Sequence, residues 1–201
     1  MQIGFLMLAA MLALSGCKTI QNLAQIPLVY APTPQTHPGL ANKTFSLDVK
    51  DARLYVMSGG KAPSYLGIAR GGLGIPHDVF NAKKVALATQ LKADLRKELE
   101  ALGLVESPAS GAKRVLVRVH DFNSDGHTKG RFTYDIELTV INAAGKQLAV
   151  NRARGEKSFD AKFLDSGETL MQRQIPIYYG QVIRELVRAD PLIILALGNE
   201  L

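Results

Sequence analysis

The strongest pattern along the chain is an alternation of apolar and polar residues. Phe132, Tyr134, Ile136, Leu138 and Val140 interleave with Arg131, Thr133, Asp135, Glu137 and Thr139, the period of a strand with one buried face. Val115, Val117 and Val119 alternate in the same way with Leu116, Arg118 and His120. Phe45, Leu47 and Val49 alternate with Thr44, Ser46, Asp48 and Lys50. A turn at Asn142-Ala143-Ala144-Gly145 leads to a further strand over 148–157, whose Ala149, Ala153 and Gly155 leave room for a helix. Tyr65-Leu66-Gly67-Ile68 predicts a short strand, and Leu54-Tyr55-Val56 continues or follows the strand at 44–50.

Helical spacing takes over at 78–102, where Phe80, Leu87, Leu91, Leu95, Leu99 and Leu102 form an apolar stripe and Lys92, Arg96 and Glu100 a wet side. Asp78 stands where an N-cap is wanted, and Gly103 where a left-handed residue closes a helix. A second helix falls within 167–189 on Ile175, Val182, Ile183, Leu186 and Val187, with Pro176 opening or kinking it. Asp190-Pro191 stops it before a short apolar turn at 192–197. The order β-α-β-β-β-α predicts an α+β fold: a mostly antiparallel sheet of about four strands with two helices packed on one face.

Ahead of this domain lies a different kind of segment. Residues 3–14 are an uncharged apolar run, about the length of a signal-peptide core and too short to span a bilayer comfortably. It ends in Leu14-Ser15-Gly16-Cys17, which resembles the lipobox of bacterial lipoproteins: an aliphatic residue, two small ones, then the cysteine. Small residues at 15 and 16 let a peptidase reach the bond before Cys17, and the thiol carries a diacylglycerol thioether. Several acyl chains, at ~0.8 kcal/mol per buried methylene, make such an anchor hard to reverse. Met1-Gln2 supplies no Lys or Arg, so the positive charge usual before the apolar run rests on the amino terminus or on residues upstream. Lys18, where inner-membrane retention resembles a rule requiring Asp, implies the outer membrane with the domain facing the periplasm. Pro27, Pro32, Pro34 and Pro38 give 18–42 the look of a tether, although Ile26-Pro27-Leu28-Val29-Tyr30 is apolar enough to dock on the domain. The expected organisation is a signal peptide at 1–16, a lipidated N-terminus and flexible linker at 17–42, and a periplasmic domain at 43–201.

Composition narrows the partners. The 201 residues are 47% hydrophobic, enough for one core, and the single cysteine excludes an internal disulfide. The net charge of +6 favours anionic partners, but the basic residues are scattered and read as a solvated surface. In an exported chain those partners are lipid headgroups, lipopolysaccharide, peptidoglycan carboxylates or acidic proteins rather than nucleic acid.

The leader, the short tether, the strand at 44–50, the helix ending Leu99-Glu100-Ala101-Leu102-Gly103-Leu104, the paired strands 114–122 and 131–141 with Tyr134-Asp135-Ile136, and the C-terminal helix together resemble the YajG-type lipoproteins. The glycine-rich stretch 59–74 and the tail after Asp190 do not match that plan. The resemblance implies a largely uncharacterised envelope lipoprotein, similar in plan to auxiliary lipoproteins of envelope transport systems.

No catalytic constellation stands out. Asp121-Phe122-Asn123-Ser124-Asp125-Gly126 fits the first half of a calcium loop, but the twelfth position is Phe132 rather than Glu, and the residue types equally suit a hairpin turn. His120, Asp121, Asp125 and His127 lack the third strong ligand of a zinc site. Gly71-Gly72-Leu73-Gly74 precedes the expected helix as a phosphate loop would, without a Walker lysine. Asp135 and Glu137 share one strand face as a glycosidase pair would, but alternate with threonines as a solvated face does. No serine lies in a G-x-S-x-G elbow, and the lone thiol is spent on lipid. These residues lead to the expectation of no catalytic residue, metal or cofactor. The chain is expected to be a non-enzymatic binding or scaffolding module, or else an auxiliary subunit of an envelope lipid or lipopolysaccharide transport system.

Overall fold

The computed structural model describes residues 24–71, 74–107, 112–160 and 166–198. Its centre is a 14-residue strand, β6 (Lys113–Gly126), which forms a long antiparallel hairpin with β7 (Lys129–Ile141), itself paired with β8 (Gln147–Asp160). These are the strands whose alternation is plainest in the sequence, and their alternate residues are buried as expected.

On its other side β6 meets two strands placed end to end. β2 (Thr44–Asp51) runs parallel to Lys113–Val119, and β3 (Tyr65–Arg70) runs parallel to Ser124–Gly126. Each carries further strands. β5 (Val105–Glu106) pairs with β2, while β4 (Pro76–Asn81) pairs with β3 and then with β1 (Ala24–Ile26). The sheet therefore forks beyond β6. It has eight strands and is mixed, where about four mostly antiparallel strands were expected. The difference lies in β1 and β5, three and two residues long, which are too short to show a period, and in β4.

β4 corrects a second expectation. The helix expected over 78–102 begins only at Leu87, and Asp78 is a strand residue bonded to Lys61 rather than an N-cap. Tertiary pairing with β3 and β1 claims 76–81 despite the helical spacing of Phe80. Leu54–Met57 forms a single helical turn (α1) rather than strand, α2 is Leu87–Ala101, α3 is Gly167–Arg188, and the tail forms a helix, α4 (Pro191–Gly198). Gly103 adopts φ +100 behind α2 as the expected left-handed residue. Pro176 lies within α3 rather than opening it; Ser166 caps that helix by accepting from the Thr169 N–H at 3.1 Å. Helices α2, α3 and α4 cover one face of the sheet in a single core containing Leu91, Leu95, Val117, Phe122, Phe132, Ile175 and Ile183.

The expected linker is part of the fold from Ala24 onward. Ile26, Leu28, Tyr30 and Leu40 are buried, and the main-chain N–H groups of His37 and Asn42 donate to the carbonyls of Leu102 and Gly103, both at 3.0 Å. The strap crosses α2 and α3 over two fully buried carboxylates. Glu98 accepts from the Tyr30 hydroxyl and from the Arg188 guanidinium, which also reaches Gln35 Oε1 and the Thr33 carbonyl at 2.8 and 2.9 Å. Asp94 accepts from Tyr179 at 2.9 Å, Gln90 at 2.8 Å and Lys97 at 2.7 Å. Burial, followed by the bond to Glu98, raises the Tyr30 pKa well above the usual phenol value; burial and Asp94 do the same for Tyr179.

Two outcomes follow for stability. Glu98→Ala strands Arg188 and Tyr30 beside a void and lowers the unfolding free energy by about 3–5 kcal/mol in urea melts, with early proteolytic cutting in 27–40. Because the folded state raises the pKa of Tyr30, Tyr55, Tyr65, Tyr134 and Tyr179 above the ordinary 10.0, it favours their neutral form. That stabilisation is complete below the unfolded pKa and is lost as pH rises through the folded ones. Melting temperature should hold up to about pH 9 and then fall steeply between pH 10 and 12, together with the 295 nm tyrosinate rise.

Candidate functional site

Among the described residues nothing covers the face of the sheet away from the helices over β6, β7 and β8. At the fork it is crossed by the excursion 52–64 that joins β2 to β3. Arg53 anchors the crossing and is fully buried. Its Nε and Nη2 grip Asp51 at 2.9 and 2.7 Å, and its remaining donors reach the carbonyls of Tyr65 (2.7 Å), Pro63 (3.0 Å) and Phe122 (3.3 Å). Burial acts to lower the guanidinium pKa, and the Asp51 carboxylate outweighs it, so the pKa stays above its ordinary value. The Tyr55 hydroxyl adds a bond to the Phe122 carbonyl at 3.0 Å. The Tyr55, Tyr65 and Phe80 rings meet edge to face, and Lys61 lies 4.8 Å over Tyr65. Past this plug α1 holds Leu54 and Met57 in solvent, 80% and 61% exposed.

Beside the excursion runs a polar strip. A bulge between Val119 and Asp121 interrupts the pairing of β6 with β7. Asp121 accepts from the Thr133 hydroxyl at 2.7 Å. Asp135 is held by Arg152 in two bonds of 2.6 and 2.8 Å, with Arg154 3.7 Å away. The bond to Arg152 keeps the Asp135 carboxyl below the usual carboxylate range, which suits an ion pair and not a proton donor. Among the described residues three buried side-chain atoms make no hydrogen bond: Arg96 Nε, His120 Nε2 and Asn123 Oδ1. Arg96 is ion-paired with Glu106. His120 and Asn123 flank the bulge, and their two unpartnered atoms are shut away from solvent. The strip thus carries hydrogen-bonding groups of both kinds on rigid strands, most of them engaged with one another.

The residues singled out in the sequence fall as follows. Leu14, Ser15, Gly16, Cys17 and Lys18, with the whole leader, lie outside the described residues. Residues 121–126 are neither calcium loop nor hairpin turn but the end of β6; the turn is His127-Thr128. Asp121 and Asp125 are engaged by Thr133 and Arg70. The glycine-rich Gly71–Gly74 stretch joins β3 to β4 and so precedes a strand, not a helix N-terminus. Arg53 and the orphaned atoms of His120 and Asn123 escaped sequence reading. No pattern announces an arginine buried by a fork in a sheet, whereas Asp94 and Glu98, three and seven residues after Leu91 inside the apolar stripe, do leave a legible mark.

The sequence matches no protein-family model and no curated protein. Among solved structures the chain is similar to protein XCC0632 from Xanthomonas campestris, described under the family model DUF330, with 12% identity over 80% of this chain and 91% of that one at a TM-score of 0.51. It is also similar to a minor lipoprotein from Acinetobacter baumannii (13% identity, 73% and 92% covered, TM-score 0.40) and to a lipoprotein from Neisseria meningitidis (12%, 71% and 97%, TM-score 0.26). Of these three, only the first reaches a TM-score that shows a shared fold, and none carries the YajG description.

The plug at the fork has a measurable weight. Arg53→Lys keeps a positive charge but gives up the two-pronged grip on Asp51 and the bond to the Tyr65 carbonyl, while the Pro63 and Phe122 carbonyls keep the Leu87 N–H and the Tyr55 hydroxyl, each at 3.0 Å. The expected loss is about 2 kcal/mol or more in chemical denaturation, with faster amide exchange confined to 53–62.

Proposed function

We propose that the chain is a bacterial lipoprotein, cleaved behind Gly16 and lipidated at Cys17, whose domain is a non-enzymatic binding module for another component of the cell envelope. The carrying observation is where the fold starts. The first described strand begins at Ala24, seven positions after Cys17, so a chain cleaved behind Gly16 keeps every described element of the domain. Seven residues at about 3.5 Å each give a leash of about 25 Å from Cys17 to Ala24, a tether much shorter than the proline-bearing segment suggests. Lys18 supports the outer membrane, with the domain on the periplasmic side.

The binding role rests on the bare face. The excursion that crosses it holds Leu54 and Met57 in solvent, while the carboxylates Asp121 and Asp135 of the strip are committed to Thr133 and Arg152, so the contact on offer there is apolar rather than acidic.

Mass analysis of the mature protein from a bacterial membrane fraction tests the reading. The wild-type chain should begin at Cys17 and carry a diacylglycerol thioether, whereas Cys17→Ser should remain uncleaved and lose its lipid. An uncleaved, unmodified wild-type chain would refute the proposal.

A further inference from the structure

We infer that the domain stands on the bilayer with one particular end of its sheet against the lipid, and that Ile75 enters the interface. This orientation rests on the reading of Cys17 as the lipid anchor.

The argument starts from register. Ala24 pairs with Val79, Val79 with Gly67, and Gly67 with Ser124, so Ala24 lies level with Ser124, two residues from the end of β6. β1 runs parallel to β4, so the chain before Ala24 leaves toward the start of β4 and not toward its end. Several features gather at that end. They are the turn between β3 and β4, the His127-Thr128 turn, the last residues of β8 opposite Lys129, and the N-terminus of α3, where a Cβ on Gly167 would meet the carbonyls of Gly126 and Arg70. From the level of Ala24 to Pro76, which pairs with Arg70, is three residues, about 10 Å of strand.

The far end carries Arg114, paired with Ile141, and the 142–146 turn. From Ser124 back to Arg114 is ten residues, about 33 Å of strand. A leash of about 25 Å cannot bring that end to the membrane even when fully extended. It reaches past the near end with length to spare.

Surface chemistry opposes lying on the bare face. Laying the bare face down would press Arg152, Arg154 and Asp135 toward hydrocarbon. The near end instead presents Ile75, 64% exposed, beside the exposed Pro76, His127 and Thr128. Among its described residues Arg70 pairs with Asp125 at 2.9 Å and Arg131 with Glu156 at 3.7 Å, and the exposed Lys129 and Asp160 stand opposite each other across β7 and β8. The contact is therefore with phospholipid through an apolar tip, and it does not depend on anionic headgroups.

Cys17 is the only cysteine, and lipidation consumes its thiol. A cysteine introduced into the full-length lipidated protein is thus the one free thiol for a fluorescent label. Ile75→Cys and Ala144→Cys each change an exposed turn residue. The proteins are reconstituted into phosphatidylethanolamine–phosphatidylglycerol vesicles containing a lipid-borne spin-label quencher. The label at 75 should lose most of its emission, at low and high salt alike, while the label at 144 keeps its emission. Equal quenching at both sites, quenching at 144 alone, or none at either, in protein that floats with the vesicles and carries lipid by mass, overturns the orientation and leaves the lipoprotein reading standing. A chain without lipid that fails to float overturns both.

Discussion

The fold is governed by the hydrogen bonding of one edge of β6. Fourteen residues of main chain need partners on the side away from β7, and no single strand provides them. β2 serves Lys113 to Val119 and β3 serves Ser124 to Gly126, both parallel to β6. Between them the Phe122 carbonyl has no strand partner, and a buried carbonyl without a donor is costly. Arg53 and Tyr55 answer that need. The guanidinium can be buried because Asp51 neutralises it and three carbonyls use its remaining donors. The fork, the excursion that bridges it and the exposed α1 all follow from that one gap. Gly67 belongs to the same solution: at φ +150, where β3 rejoins, a side chain would run into the backbone of Ser124.

The second organising contact lies across the helices. Asp94 and Glu98 are carboxylates in the apolar stripe of α2, and each is surrounded by donors from elements far apart in sequence. Such a network adds little stability over a well-packed apolar one, but half of it is worse than none. Its members must therefore arrive together. Tyr30 comes from the strap, Tyr179 and Arg188 from α3, and the carboxylates from α2. The network fixes where the N-terminal strap lies, and β1 then covers what would otherwise be the open edge of β4.

How much of this was legible depended on length. The alternations at 44–50, 115–120 and 131–140 identified their strands, a turn and small residues marked the strand at 148–157, and the stripes of α2 and α3 identified most of two helices, because six or more consecutive residues carried one period. Three-residue β1 and two-residue β5 had no room for a pattern. At β4, Phe80 falls seven residues before Leu87 and Asp78 looks like a cap, so local spacing pointed to helix while pairing with β3 and β1 decided for strand. The apolar Ile26 to Tyr30 did signal docking, and prolines around it signalled a tether; burial won. The bare face was readable as a polar stripe, but which of its groups are spent on neighbours and which are left over depends on the bulge after Val119, a tertiary feature.

One remaining feature bears on how copies of the molecule behave when crowded on a membrane. Among the described residues β8 pairs with β7 alone, so its outer edge presents a long run of backbone groups without a strand partner, a template on which a second chain could grow the sheet. Arg152 and Arg154, 46% and 73% exposed, ride on that strand beside Asn151 and Gly155. Two such edges paired antiparallel about Ala153 would set Arg152 against Arg154, a like-charge contact that opposes pairing, whereas pairing about Gly155 would set Arg154 against Glu156. The charges along this edge therefore sort possible pairings by register, and two copies crowded together meet as a question of alignment rather than of net charge.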